Sequence, residues 1–279
     1  MHDAANLSHR SWTRIQRGLR GVAVLMRPLA VLVIAMLAHS GSLAAQPATE
    51  LIAAGDRESQ ARQPARALPY FERAVSAEPR NTAALWRAAR ELVDLGEYER
   101  NERTRSELYA RAVDYARRAI ASDPADADAH FHLARAIGRT ALSVGPRDRV
   151  KYGIEVRAEA LRALELAPKH PGALHVMGVW NAEVMRLNGF SRLMAKTFLG
   201  GKVFESASWA EATRYMELAV AVEPTRLVHR LDLARVYRDT GRKAAAREAY
   251  AAAIGLAAMD ANDEQYRREA QTELAALGR

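Results

Sequence analysis

Ala219-Val220-Ala221-Val222-Glu223-Pro224 closes a helical stretch, and the same cadence occurs three times before it. The earlier copies are Ala74-Val75-Ser76-Ala77-Glu78-Pro79, Ala119-Ile120-Ala121-Ser122-Asp123-Pro124 and Ala163-Leu164-Glu165-Leu166-Ala167-Pro168. A fifth, Ala253-Ile254-Gly255-Leu256-Ala257-Ala258, lacks the proline. In each copy a small residue lets a neighbouring helix approach and an aliphatic residue fills the gap. Proline then stops the helix near the residue before it. The prolines stand 45, 44 and 56 residues apart (124 − 79, 168 − 124, 224 − 168). Helix pairs at such a period make a solenoid. No pair can bury its apolar face alone, so neighbours stack. The reading is an all-α solenoid of about five helix hairpins plus a C-terminal capping helix, with no strand-like alternation.

Composition agrees. Of 279 residues, 49% are hydrophobic but only 6% aromatic, which suits closely packed helices better than a sandwich. Cysteine is absent, which excludes disulfides, thiolate metal sites and a cysteine nucleophile. Residues 1–45 hold five arginines and one acid, so 36 basic and 32 acidic residues remain of the chain's 41 and 33. An excess of 36 − 32 = 4 gives no case for nucleic acid, which calls for a concentrated basic face.

The first 45 residues form a leader. Arginines up to Arg27 precede the apolar run Leu29 to Ala38, and small residues follow at Ser40-Gly41-Ser42-Leu43-Ala44-Ala45. This is the anatomy of a secretory signal peptide, with cleavage expected after Ala45 or Ala44 and a second candidate start at Met26. The expected location is periplasmic or secreted, in a bacterium, with only transient membrane contact. Residues 46–279 then form the solenoid domain.

Along that domain the apolar spacing places successive helices. Leu51 to Ala54 mark the first. Ala67, Tyr70, Phe71, Ala74 and Val75 give the second a buried face. Asn81 and either Asp126 or Asp128 are expected N-caps, and Gly145-Pro146 a break. A helix over about 148–166 is expected to turn Val150, Ile154, Ala158, Leu161 and Leu164, or their neighbours, inward. The helix opening at Asn262-Asp263 reads as a polar terminal cap, with Glu264, Gln265, Arg267, Arg268 and Glu269 outward.

In the fifth unit, Leu233-Ala234, Tyr237, Gly241, Ala246, Tyr250 and Ala253 resemble a tetratricopeptide repeat almost completely. That resemblance implies antiparallel helix pairs in a right-handed superhelix with a concave protein-binding face. A narrower likeness rests on Val184-Met185-Arg186-Leu187, Phe190, Arg192, Ala195-Lys196, Phe198-Leu199-Gly200-Gly201 and Ala207 to Ala212. The run Arg147 to Lys151 before Glu155 adds to it. These resemble the regulator of microtubule dynamics family and its bacterial relatives, over most of residues 50–278. Tubulin binding, a property of eukaryotic members, is not carried over.

No HExxH, phosphate-cradling glycine loop or nucleophile elbow occurs. No catalytic residue, cofactor or metal is expected, and the chain reads as a non-enzyme. His130 and His132, two apart on a helix, cannot share a face. One constellation stands out when the first helices are aligned by Ala88-Ala89, Leu133-Ala134, Met177-Gly178 and Leu233-Ala234. The next position is Arg90, Arg135, Val179 and Arg235, which the repeat resemblance turns toward the groove. Arg139 and Arg238 follow one turn on, and Trp86, Phe131, His175 and Leu231 precede. Such a groove could hold an acidic or C-terminal peptide by bidentate carboxylate pairing and stacking. The plainer reading pairs these arginines with Asp94, Glu183 and Asp239. The two functional expectations are a protein- or peptide-binding scaffold and a structural envelope component that self-associates.

Overall fold

The computed structural model describes residues 46–187 and 202–278. The leader at 1–45, Asn188-Gly189 and the quoted signature from Phe190 to Gly201 lie outside the described residues.

Twelve helices and no strand occur among the described residues. They are α1 (Ala48–Gln60), α2 (Pro64–Ala77), α3 (Thr82–Glu97), α4 (Glu102–Ser122), α5 (Ala127–Leu142) and α6 (Pro146–Leu166). Then come α7 (Pro171–Arg186), the single turn α8 (Lys202–Glu205), α9 (Trp209–Val222), α10 (Leu227–Asp239), α11 (Lys243–Gly255) and α12 (Asp263–Leu277). The hairpins are α1–α2, α3–α4, α5–α6, α7–α9 and α10–α11, and α12 follows alone.

The cadence does more than stop a helix. In all four proline copies the first alanine carbonyl accepts the last helical N–H: Glu78 to Ala74, Asp123 to Ala119, Ala167 to Ala163 and Glu223 to Ala219. Proline then takes the second position of a turn, where its fixed φ fits and its missing N–H costs nothing. The turn closes through Asn81 to Glu78, Asp126 to Asp123, His170 to Ala167 and Arg226 to Glu223. Three of the four closing residues also cap the next helix. The Asn81 and Asp126 side chains accept from the Ala84 and Ala129 N–H groups at 3.0 and 2.8 Å. His170 Nδ1 accepts from Ala173 at 3.1 Å. Gly241, at φ +76°, supplies the left-handed residue that turns α10 into α11.

The four cadence alanines are fully buried, as is Ala253 of the fifth copy. One apolar core runs through the first four hairpins and includes Phe71, Leu92, Leu133, Val156, Trp180 and Phe204. Met216, Leu233 and Val236 join the fourth hairpin to the fifth. Leu227, Leu231 and Tyr250 seat α12 through Tyr266 and Ala270.

Three sequence expectations need correction. In α1 the buried residues are Ala48, Leu51 and Gly55, and Ala53 is exposed. Gly55 takes the inward place because a ring, Phe71, lies against it. In α6 the buried line is Val156, Ala160 and Ala163. Ala158 is exposed, Ile154, Leu161 and Leu164 flank the line, and the Val150 side chain lies outside the described residues. The small residues there face the neighbouring helices. Finally, α12 is not a plain polar cap, because Glu269 turns inward onto Arg235 and Asp263 is buried.

Candidate functional site

The first helices of successive units touch one another: α1 with α3, α3 with α5, α5 with α7, α7 with α10 and α10 with α12. They therefore line the inner side of the superhelix. A cavity of about 870 Å³ lies there, within the range of small-ligand pockets. Of the ten residues aligned from the sequence, nine line it: Trp86, Arg90, Phe131, Arg135, Arg139, His175, Val179, Arg235 and Arg238; Leu231 is buried in the core of the fifth hairpin instead.

One wall is built of stacked rings. Trp86 lies parallel to His132, with centroids 5.1 Å apart. Phe131 leans on His132 at 4.6 Å and on His170 at 4.7 Å. Further along, His175 meets His229 at 4.7 Å. The ladder thus crosses α3, α5 and the start of α7. Gly172 permits it, because a Cβ there would collide with the Phe131 ring. His132 and His130 diverge as the helical angle requires. His132 faces the ladder, whereas His130 bonds Glu159 at 2.6 Å and the Pro124 carbonyl at 3.1 Å.

The rest of the lining is charged, and its charges are already matched. Arg90 Nε donates to Glu91 at 2.8 Å and its Nη2 to Ser59 at 3.0 Å. Arg135 donates to Asp94 at 2.5 Å, and Arg139 pairs with Glu97. Arg235 binds Asp232, Glu269 and Glu273 at 2.9, 2.8 and 2.6 Å. Arg238 binds Glu273 at 2.7 Å and Asp239 at 3.0 Å. The His175 Nε2–Asp232 distance is 2.8 Å. Pairing with Asp94 and Asp239 is as the plainer reading has it, and Glu183 takes Arg186, which also bonds Asp239. Among the described residues eight arginines and nine carboxylates line the cavity, a formal balance of 8 − 9 = −1.

The electrostatics follow from this matching. Burial, helped by Arg135 and Arg90, holds His132 well below its ordinary range. Burial, with His175 and Arg226 beside it, brings His229 down to about 2. Both rings are therefore neutral at physiological pH and pack as uncharged rings against Trp86, Phe131 and His175. Burial alone would raise Asp232, but His175 and Arg235 outweigh it and hold the carboxyl low. Asp260 goes the other way, since burial lifts it to about 6 even against Arg226, 2.7 Å away. The cavity can thus offer flat ring faces beside donors and acceptors of both signs. No group of His, Asp or Glu among the described residues is placed to hold a metal ion. No described helix is long and apolar enough to cross a membrane.

Sequence reasoning missed Glu97, His132, His170, His229, Arg226 and Tyr266 in this wall. The histidines carried a weak signal, since His132 and His170 sit beside the aligned Phe131 and Pro171. Glu97 and Tyr266 carried none, because their partnership spans 169 residues.

The sequence profile of the family described as "Regulator of microtubule dynamics protein 1-3" matches residues 47–278. Regulator of microtubule dynamics protein 1 of Mus musculus is 27% identical over 195 residues, which are 69% of this chain and 63% of that protein. The chain thus spans less than two thirds of that relative's length. Among solved structures, a thermophilic TPR protein of Thermus thermophilus is similar with a TM-score of 0.58 at 20% identity. That match covers 81% of this chain and 99% of the other.

Proposed function

Because the chain belongs to the regulator of microtubule dynamics family and folds as a tetratricopeptide-like solenoid, we propose that it is a non-enzymatic scaffold. It holds a short peptide segment of a partner protein in the inner cavity. The observation that carries the reading is the juxtaposition of the ring ladder from Trp86 to His170 with matched polar groups of both signs. A segment with an aromatic or proline side chain gains stacking on the ladder. Its polar groups exchange with the ion pairs beside the ladder. The arginines are already neutralised, so a partner carboxylate gains only by displacing Asp94, Glu97 or Glu269. This weakens the case for a uniformly acidic partner and favours a mixed one. The leader at residues 1–45 adds export to the cell envelope to the proposal, and the intact mass of the exported protein checks its removal.

Selection of a displayed random-peptide library on the purified protein tests the reading. Enriched peptides are expected to lose at least ten-fold in affinity in Arg135→Ala and Trp86→Ala, and to bind Arg103→Ala normally. Arg103 is an exposed residue of α4 outside the cavity lining. Enrichment that all three variants share equally would remove the cavity from the account.

The second reading is a structural component that acts by self-association. It draws on Leu218 and Val222, one turn apart on α9 and 40% and 39% exposed. Mass in solution separates the two, since the scaffold reading does not need a second copy.

A further inference from the structure

Each unit of a solenoid touches only its neighbours. The helix α12 breaks that rule by reaching back past the fifth, fourth and third hairpins to the second. Tyr266 donates its O–H to Glu97, which also pairs with Arg139. Asn262 Nδ2 donates to the Asp94 carbonyl at 3.1 Å, and the Tyr98 O–H donates to Glu269 at 3.0 Å. Arg62, in the turn of the first hairpin, and Glu264 add an exposed ion pair at 3.9 Å.

The two sides of α12 are held by different forces. Toward the fifth hairpin, Tyr266 and Ala270 are buried in an apolar cluster with Leu227, Leu231 and Tyr250. Arg267 ties the helix to the carbonyls of Ile254 and Leu256 at 3.2 and 2.6 Å. Toward the second hairpin the contacts are polar, apart from one edge contact between the Tyr98 and Tyr266 rings at 5.9 Å. No described apolar cluster is shared by α12 and α3. Water can replace hydrogen bonds at an opened seam, but it cannot replace buried apolar contacts. The seam therefore parts at little cost, while the attachment of α12 to the fifth hairpin holds. None of the interfaces between neighbouring hairpins has to change.

The seam residues Asp94, Glu97, Tyr98, Asn262, Tyr266 and Glu269 also line the cavity. We infer that α12 and the second hairpin form a polar latch across the mouth of the superhelix, which opens to give a chain-like ligand sideways entry to the cavity. The entry role rests on the peptide-binding reading above. The opening itself does not.

The chain has no cysteine, so spin labels can be placed cleanly. Arg103→Cys on α4 and Arg268→Cys on α12 are both exposed and report across the seam. Ala251→Cys with Arg268→Cys reports within the fifth unit and serves as the reference. Pulsed dipolar distances are measured with and without the added pair Glu97→Gln and Tyr266→Phe. The cut latch is expected to add a longer-distance population across the seam, several ångströms beyond the first, with the reference pair and the helical circular dichroism unchanged. A single unchanged distance across the seam in both backgrounds would overturn the latch. Should that background lose its fold, Tyr98→Phe with Asn262→Ala cuts the same seam and leaves Tyr266 in its core, and the same two outcomes apply. No ligand enters the measurement, so a failed latch and a failed peptide site give separate results. A latch that opens while no library peptide binds keeps the opening and removes the entry role.

Discussion

Gly55 shows how narrowly single positions are set. A Cβ there would fall 2.5 to 2.9 Å from three ring atoms of Phe71, which is itself fully buried and cannot swing away. Gly55→Ala is expected to lose about 1–3 kcal/mol, the usual cost of overpacking a rigid core. Gly255 is the contrast, exposed at the end of α11 with nothing within 4 Å of its Cβ position. Gly255→Ala should be neutral or gain up to about 0.5–1 kcal/mol through helix propensity. Urea midpoints of the two variants check the opposite signs. At this scale much was legible. Asn81 is a cap residue by type, Asp126 is one of the two caps expected for its helix, and Gly241 sits where a left-handed turn is needed. His170 was not legible as a cap, because imidazole is not among the side chains that usually serve there.

At the scale of helices, the recurring alanines did better than the branched residues in showing which face is buried. In α6 the leucine and isoleucine positions flank the contact, and the line Val156, Ala160 and Ala163 carries it. Close helix approach selects for small side chains at the crossing and pushes larger ones to its rim, so hydrophobicity alone misplaces the stripe. Ala163→Leu should therefore cost about 1–3 kcal/mol. Ala158→Leu on the exposed face should stay within ~0.5 kcal/mol. Thermal or urea unfolding of the pair checks this, and equal losses would restore the sequence-based face. The inward side of α12 was misread for a related reason. Glu269 and Glu273 look like solvated charges along one helix, and only the fold brings Arg235 and Arg238 against them.

For the whole molecule, the solenoid was readable from the cadence and the fifth unit, and the family from the stretch Val184 to Ala212 with the run Arg147 to Lys151. All the aligned residues but Leu231 line one cavity, because the register of the first helices carries from unit to unit. What could not be read is the closure. The Glu97–Tyr266 contact joins residues 169 apart, and no local pattern predicts which carboxylate meets which tyrosine. That the arginines are paired was open to the plainer reading, but not the partners that other helices supply, Asp94 to Arg135, Glu97 to Arg139 and Glu269 and Glu273 to Arg235, and the cavity they line is balanced rather than positive. That balance is why an uncommitted groove of arginines is the wrong picture, and why stacking on the ring ladder carries more of the proposed recognition.

A photo-cross-linking residue placed at two positions in the native host tests this most directly. Benzoylphenylalanine replaces Phe131 inside the cavity in one strain and Leu218, exposed on α9, in the other. Irradiation is expected to join a distinct partner protein to position 131 and to leave position 218 without that adduct. The same partner captured at 218 with none at 131, or a second copy of this chain at either position alone, would contradict a peptide site in the cavity.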